Sequence, residues 1–178
     1  MGVLNPAAMS RYVNNEDESL HVGPSSIDLH IAPEKTVFEP STNVVDITDE
    51  STYPETRTVE RDVVTIQPGE FCLGRSKEEI NLSHGKGALV HGRSSIGRLG
   101  LFVENAGLID RGFEGTITLE LFNASRRVIE VPAGTRVAQL LFFSQAGDED
   151  TAYDGKYNGQ VEPTASRLYD DKDVDNES

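Results

Sequence analysis

The amino-acid sequence predicts a mainly β domain, a sandwich or barrel with one or two short helices. Short runs rich in β-branched, aromatic and other apolar residues alternate with Gly/Pro turns: residues 63–66, Pro68-Gly69 and 71–74, then 128–131, Pro132-Ala133-Gly134 and 136–143. Strands this short, with turns this close together, argue against a βαβ sheet. In residues 116–123 side chains alternate faces with period two: Ile117, Leu119 and Leu121 share a core face, while Thr116, Thr118, Glu120 and Phe122 share a half-polar one.

Taken in order, Asn5-Pro6 reads as N-cap and first helical position, predicting a short helix over residues 7–13. Residues 14–18 are polar and read as loop. Gly23-Pro24-Ser25-Ser26 is a turn into an alternating strand over 27–31. Residues 33–60 hold three prolines and many acids with weak periodicity, and predict an irregular excursion with one strand. A strand over 88–91 and a single helical turn over 95–99 precede the strand at 116–123. Residues 148–178 read either as a loose tail or as a folded closing segment. The division expected is one domain over residues 1–169 and an acidic, disordered tail over 170–178.

The chain has 178 residues, enough for one domain with a real core, and 30 acidic against 16 basic residues give a formal net charge of −14. Such a surface repels nucleic acid and anionic membranes, so neither is an expected partner. The excess of acids and of arginine over lysine suits a halophilic, high-salt cytoplasm, though an ordinary acidic protein would look the same. The single cysteine, Cys72, excludes an intrachain disulfide and a cysteine-rich metal site. No apolar run is long enough to cross a bilayer, and the first residues lack a charged segment before an apolar one. A soluble, cytoplasmic protein is expected.

Reactive groups concentrate between Gly92 and Asn123. Arg93, Ser94, Ser95 and Arg98, set with Ile96 among Gly92, Gly97 and Gly100, make a compact anion cradle of guanidinium forks and hydroxyls. Asp110, Phe113 and Glu120 follow. Each has a plain structural reading too: arginines paired to this chain's acids, an aspartate opening a turn, a core phenylalanine, a solvent-facing glutamate. The ordered run Gly92-Arg93-Ser94-Ser95-Ile96-Gly97-Arg98-Leu99-Gly100, Ile109-Asp110, Gly112-Phe113, Gly115 and Thr118-Leu119-Glu120 closely resembles the dCTP deaminase family of the dUTPase-like superfamily. The early Ser26-Ile27-Asp28-Leu29 and the closing Lys156-Tyr157, Gln160 and Ser166-Arg167 fit as well.

The resemblance implies a distorted jelly-roll or β-barrel of the dUTPase-like type, assembled as a homotrimer with shared active sites. It implies dCTP or dUTP as the nucleotide, with Mg²⁺ held mostly by phosphate oxygens and water. Glu120 takes the position of the carboxylate that is base first and acid second, with Ser94, Arg98 and Asp110 as catalytic partners. The triphosphate would meet Arg93, Ser94, Ser95, Arg98 and Lys156. Ile96, Gly97, Asp110, Phe113, Thr118, Leu119, Glu120, Gln139, Tyr153 and Gln160 complete the expected binding set. No zinc is expected: one cysteine and the scattered His21, His30, His84 and His91 cannot build the zinc-deaminase signature.

Departures from the pattern refine the expectation. The loop Glu104-Asn105-Ala106-Gly107 is a residue shorter than in typical deaminases, and its spacing to Asp110 matches dUTPases. The Tyr153-to-Lys156 spacing is compressed. Gly97 and Gln139 resemble members that convert dCTP directly to dUMP. A glutamate at position 120 separates deaminases from plain dUTPases. The readings in play are therefore a dCTP deaminase releasing dUTP or dUMP, a dUTP pyrophosphatase, and a non-catalytic nucleotide-binding β module.

Overall fold

The computed structural model describes residues 2–14, 20–41, 44–82, 86–104, 107–144 and 152–171. In chain order the elements are β1 (Gly2–Val3), α1 (Pro6–Met9), β2 (Val13–Asn14), β3 (Ile27–His30), β4 (Glu34–Phe38), β5 (Thr56–Glu60), β6 (Val63–Ile66), β7 (Phe71–Asn81), β8 (Lys86–Gly92), α2 (Ser94–Gly97), β9 (Leu101–Glu104), β10 (Leu108–Ile109), β11 (Glu114–Asn123), β12 (Ile129–Pro132) and β13 (Arg136–Ser144). One sheet runs β1-β13-β8-β10 with β3 also on β13; a second runs β5-β4-β7-β11-β9 with β2 on β7; β6 and β12 form a separate ribbon. Among the described residues the sheets are open and do not close into a barrel.

The predicted β class holds, with corrections in detail. Both strand–turn–strand segments are present, and their strands take partners from elsewhere: β6 pairs with β12, while β7 and β13 run into different sheets. Turn chemistry fixed the reversals, but pairing was decided by which apolar faces could be buried together. The helix expected over 7–13 is shorter. Asn5 caps α1, its side chain accepting from the Ala8 amide at 3.0 Å, and a 3₁₀ turn over Ser10–Tyr12 follows before Val13 enters β2. Residues 33–60 hold two strands rather than one: β4 and β5 pair antiparallel from Glu34↔Glu60 to Phe38↔Thr56. The alternation read at 27–31 does not produce an exposed face. All of β3 is buried, because β13 pairs along its edge and β7 packs against it.

The core between the sheets is built from Ile27, Leu29, Ile66, Leu119, Leu121, Leu140 and Phe142, all fully buried. Several of its buried polar groups are paired within the chain. His30 Nδ1 lies 2.5 Å from Glu78 Oε1, and the His30 amide donates to Glu78 Oε2 at 2.9 Å. Asn123 donates to the Ile66 and Arg127 carbonyls at 2.9 and 2.8 Å, tying the end of β11 to the ribbon. Burial pushes the Cys72 thiol up to about 12, so this cysteine is a packing residue. No helix among the described residues is long and apolar enough to cross a membrane.

Candidate functional site

The site is built on the outer face of the second sheet. The parity read from sequence is observed from Ile117 onward: Ile117, Leu119 and Leu121 point into the core, while Thr118, Glu120 and Phe122 are half-buried on the other side; Thr116, expected with the latter, is buried instead. Register then places their neighbours. Glu120 stands opposite Leu73 of β7 and Glu104 of β9; Thr118 stands opposite Arg75; Phe122 stands opposite Phe71 and Phe102. The β7 ladder slips between Thr116 and Thr118, and the Ser76 hydroxyl accepts the Ile117 amide at 2.9 Å inside that irregularity.

β9 covers β11 only from Glu120 to Asn123. The rest of that edge is covered by the C-terminal segment. Gly159 donates to the Glu114 carbonyl at 2.7 Å, Thr116 to the Gln160 carbonyl at 2.9 Å, and the Gln160 side chain to the Thr116 carbonyl at 2.8 Å. The Thr164 amide reaches the Thr118 hydroxyl at 3.1 Å. Gly115 allows this approach: its φ is 137°, and a Cβ there would sit 2.6 Å from the Gln160 carbonyl oxygen. Described residues 152–171 are thus a folded closing segment, not a loose tail. Asp171 holds Lys156 at 2.6 Å, and residues 172–178 lie outside the described residues.

Between this segment and the sheet lies a cavity of about 630 Å³. Glu120, Asp110, Phe113, Thr118, Tyr153 and Gln160 line it, each an expected site residue. Burial pushes the Glu120 carboxyl above the ordinary glutamate range, and the Glu104 charge pushes it further the same way. Asp110 is exposed at the turn before Gly112, and Phe113 is buried with its ring centroid 6.2 Å from that of Tyr153. Phe113 is therefore both a core residue and a cavity wall.

The remaining expected residues gather elsewhere. α2 presents Ser94, Ser95 and Arg98 as exposed side chains, with Ile96 and Gly97 half-buried, and none of them lines the cavity. Arg93 Nε lies 3.3 Å from Asp28 Oδ2, which Arg136 also reaches at 3.2 Å. Gln139 stands opposite Asp28 and His91 on this side. Leu119 is in the core, so only its backbone can meet a ligand. Lys156 faces Asp171 and the Tyr157 ring. One chain thus carries a carboxylate half and a cationic half that it does not bring together.

Residues 8–145 match the dCTP deaminase-like family. The chain belongs to that family. Among relatives of this dCTP deaminase-like chain, a protein from Persephonella marina named "dCTP deaminase, dUMP-forming" is 39% identical over 158 residues, covering 88% of each chain. Another of the same name from a Sulfurihydrogenibium species is 37% identical over 182 residues, covering 96% of this chain and 99% of the other. Among solved structures, the 2′-deoxycytidine 5′-triphosphate deaminase of Agrobacterium tumefaciens superposes with a TM-score of 0.62 at 22% identity. That match covers 79% of this chain and 47% of the other, so this chain spans about half that protein's length. An EIAV dUTPase superposes with a TM-score of 0.51 at 16% identity over 82% of this chain and 97% of the other. The fold is that of dCTP deaminases and dUTPases, as the motif run had implied.

The cavity of this family member also has walls that the motifs did not identify. Val45, Ile47, Tyr53 and Pro54 contribute from the excursion between β4 and β5, and Phe38 and Phe71 from the sheet. Tyr53 meets Tyr169 edge-on with centroids 5.6 Å apart, joining the excursion to the closing segment. Sequence alone carries only a faint signal for these, an unusual density of apolar residues within an acidic loop. Asn105 and Ala106 of the shortened loop lie outside the described residues.

Proposed function

We propose that the protein deaminates dCTP hydrolytically and carries the product on to dUMP and pyrophosphate. The observation that supports this most is Glu120, a carboxylate with a raised proton affinity on the wall of a cavity large enough for a nucleoside. Glu120 takes a proton from water, and the resulting hydroxide adds to C4 of cytosine. The same carboxyl returns the proton to the amine, the C4–N4 bond breaks, and ammonia leaves as the C4 hydroxyl passes its proton to N3 and the carbonyl forms. Asp110 then orients a second water toward the α-phosphorus, and the bond to the bridging oxygen breaks to release pyrophosphate. The names of the similar relatives and the Asp110 spacing favour this second step.

Among the described residues no group of three or more His, Cys, Asp or Glu side chains could hold a metal ion. A Mg²⁺ carried by triphosphate oxygens and water would neutralise phosphate charge, and the base of this reading is a protein carboxylate. A high-salt cytoplasm is the setting that the charge composition supports.

The triphosphate needs the cationic half, which does not line this chain's cavity. We infer a homotrimer in which Arg93, Ser94, Ser95 and Arg98 of one copy complete the cavity of the next. Arg98→Ala and Glu120→Gln chains, each nearly inactive alone, are expected to recover about one quarter of wild-type activity when coassembled at random in equal amounts, since both intact halves then meet at that frequency. No recovery in verified mixed trimers would show that each site uses one chain only.

The primary test is incubation with dCTP and, separately, dUTP in high salt with Mg²⁺, resolving ammonia, dUTP, dUMP and pyrophosphate. Ammonia and dUMP from dCTP are expected. Turnover of dUTP alone would make the protein a dUTP pyrophosphatase, and binding without turnover a silent nucleotide module.

A further inference from the structure

Glu104 and Glu120 are direct cross-strand partners on β9 and β11. Opposed residues of an antiparallel pair share a face and hold their Cβ atoms about 5 Å apart. Like charges in that relation normally destabilise a sheet, so a second glutamate here is a costly neighbour for an ordinary half-buried one. Here the neighbour being disturbed is the acid–base carboxylate of the proposed reaction. We propose that Glu104 is a positioning residue for proton transfer: acting through Glu120, its charge keeps the catalytic carboxyl a stronger base for water and a carrier that holds its proton until the amine departs.

This inference rests on the deamination reading of Glu120. The other groups facing Glu120 do not supply the same effect. On β7 the opposite residue is Leu73, and the nearest cation along that row, Arg75, is committed to Glu34 at 2.6 Å. From the closing segment come Gln160 and Thr164, both neutral. The remaining ionisable groups of the cavity wall are Asp110, Tyr53, Tyr153 and Tyr157. β8, which passes beside β9, contributes Lys86 and His91 as its titratable groups, and His91 is exposed. Glu104 is the acid that the sheet register sets directly against Glu120. The direction in which the Glu120 carboxyl is displaced agrees, with burial as the larger cause and Glu104 as the second.

The test compares wild type, Glu104→Gln and Glu104→Asp by the pH dependence of kcat for ammonia release. In parallel, the Glu120 carboxyl is titrated by carbon-13 NMR, assigned by its loss in Glu120→Gln. The acid limb of kcat and the NMR midpoint are both expected to move down by about half a pH unit or more in Glu104→Gln, and to stay near wild type in Glu104→Asp. KM for dCTP is expected to change by less than about twofold. A rate lowered equally at every pH, with the NMR midpoint unmoved, would make Glu104 structural only and overturn the proposal. If wild type releases no ammonia, the deamination reading fails. The NMR arm still reports whether the two carboxylates are coupled, so the two failures are distinguishable.

Discussion

Glu120→Gln is expected to lower ammonia release from dCTP by about a thousandfold, while the dissociation constant for dCTP stays within roughly threefold of wild type. Glutamine keeps the shape of the side chain on the cavity wall between Thr118 and Phe122 but can neither take nor return a proton. The same variant is expected to be slightly more stable than wild type at neutral pH. Because the Glu120 carboxyl titrates above its ordinary value in the folded chain, the folded state binds this proton more tightly than the unfolded state does. Its relative contribution is therefore fully present below the unfolded pKa and is lost as pH rises through the folded pKa. Glutamine escapes that loss, so its advantage should appear above the ordinary carboxylate range and vanish in acid. The group is part exposed and screened, which keeps the gain below about 1 kcal/mol. Paired rate measurements and thermal melts across pH check both halves. A variant that still turns over dCTP at a wild-type rate would remove Glu120 from the mechanism.

The face of β11 was legible from sequence because a strand's period is exact: once Ile117, Leu119 and Leu121 were core, Glu120 had to face the other way. What lay opposite Glu120 was not legible. That depended on β9 pairing in a register that puts Glu104 there, and a one-residue slip would have presented Val103 instead. The same limit explains residues 33–60. Prolines and acids hid β5 because its burial is slight, and only its pairing with β4 makes it a strand. Local turn chemistry at Pro68-Gly69 and Pro132-Ala133-Gly134 located reversals correctly while saying nothing about partners.

Motif order likewise named most of the cavity's polar residues but not their division in space. Asp110, Phe113, Thr118, Glu120, Tyr153 and Gln160 line one cavity, although Tyr153 and Gln160 are far along the chain from the others. The backbone of β11 explains this, since its uncovered edge from Glu114 to Thr118 takes up the closing segment. Arg93 and Arg98, nearer in sequence, lie outside it, because α2 caps the far end of β9 and Asp28 holds Arg93 on the other sheet. Sequence proximity suggested one cradle; sheet topology separates it from the acid it would serve.

Asp110→Asn is expected to cut dUMP and pyrophosphate yield from dCTP at least about a hundredfold while ammonia release falls no more than about tenfold, so that dUTP accumulates. The substitution is mild for the fold. Asp110 is exposed, its backbone carbonyl accepts the Phe113 amide at 3.3 Å, and asparagine suits the same turn. What it removes is the carboxylate charge at the cavity wall, the group able to orient and polarise a water for attack on phosphorus. Glu120 is untouched, and with it the proposed proton shuttle at C4. The two steps therefore separate by residue: a variant at position 120 should stop both products, because dUMP formation follows deamination, whereas a variant at 110 should stop only the second. Feeding dUTP directly provides the control, since Glu120→Gln should still convert dUTP to dUMP and Asp110→Asn should not. Unchanged pyrophosphate yield from Asp110→Asn would reduce Asp110 to a turn residue and leave phosphate-bond cleavage to other groups.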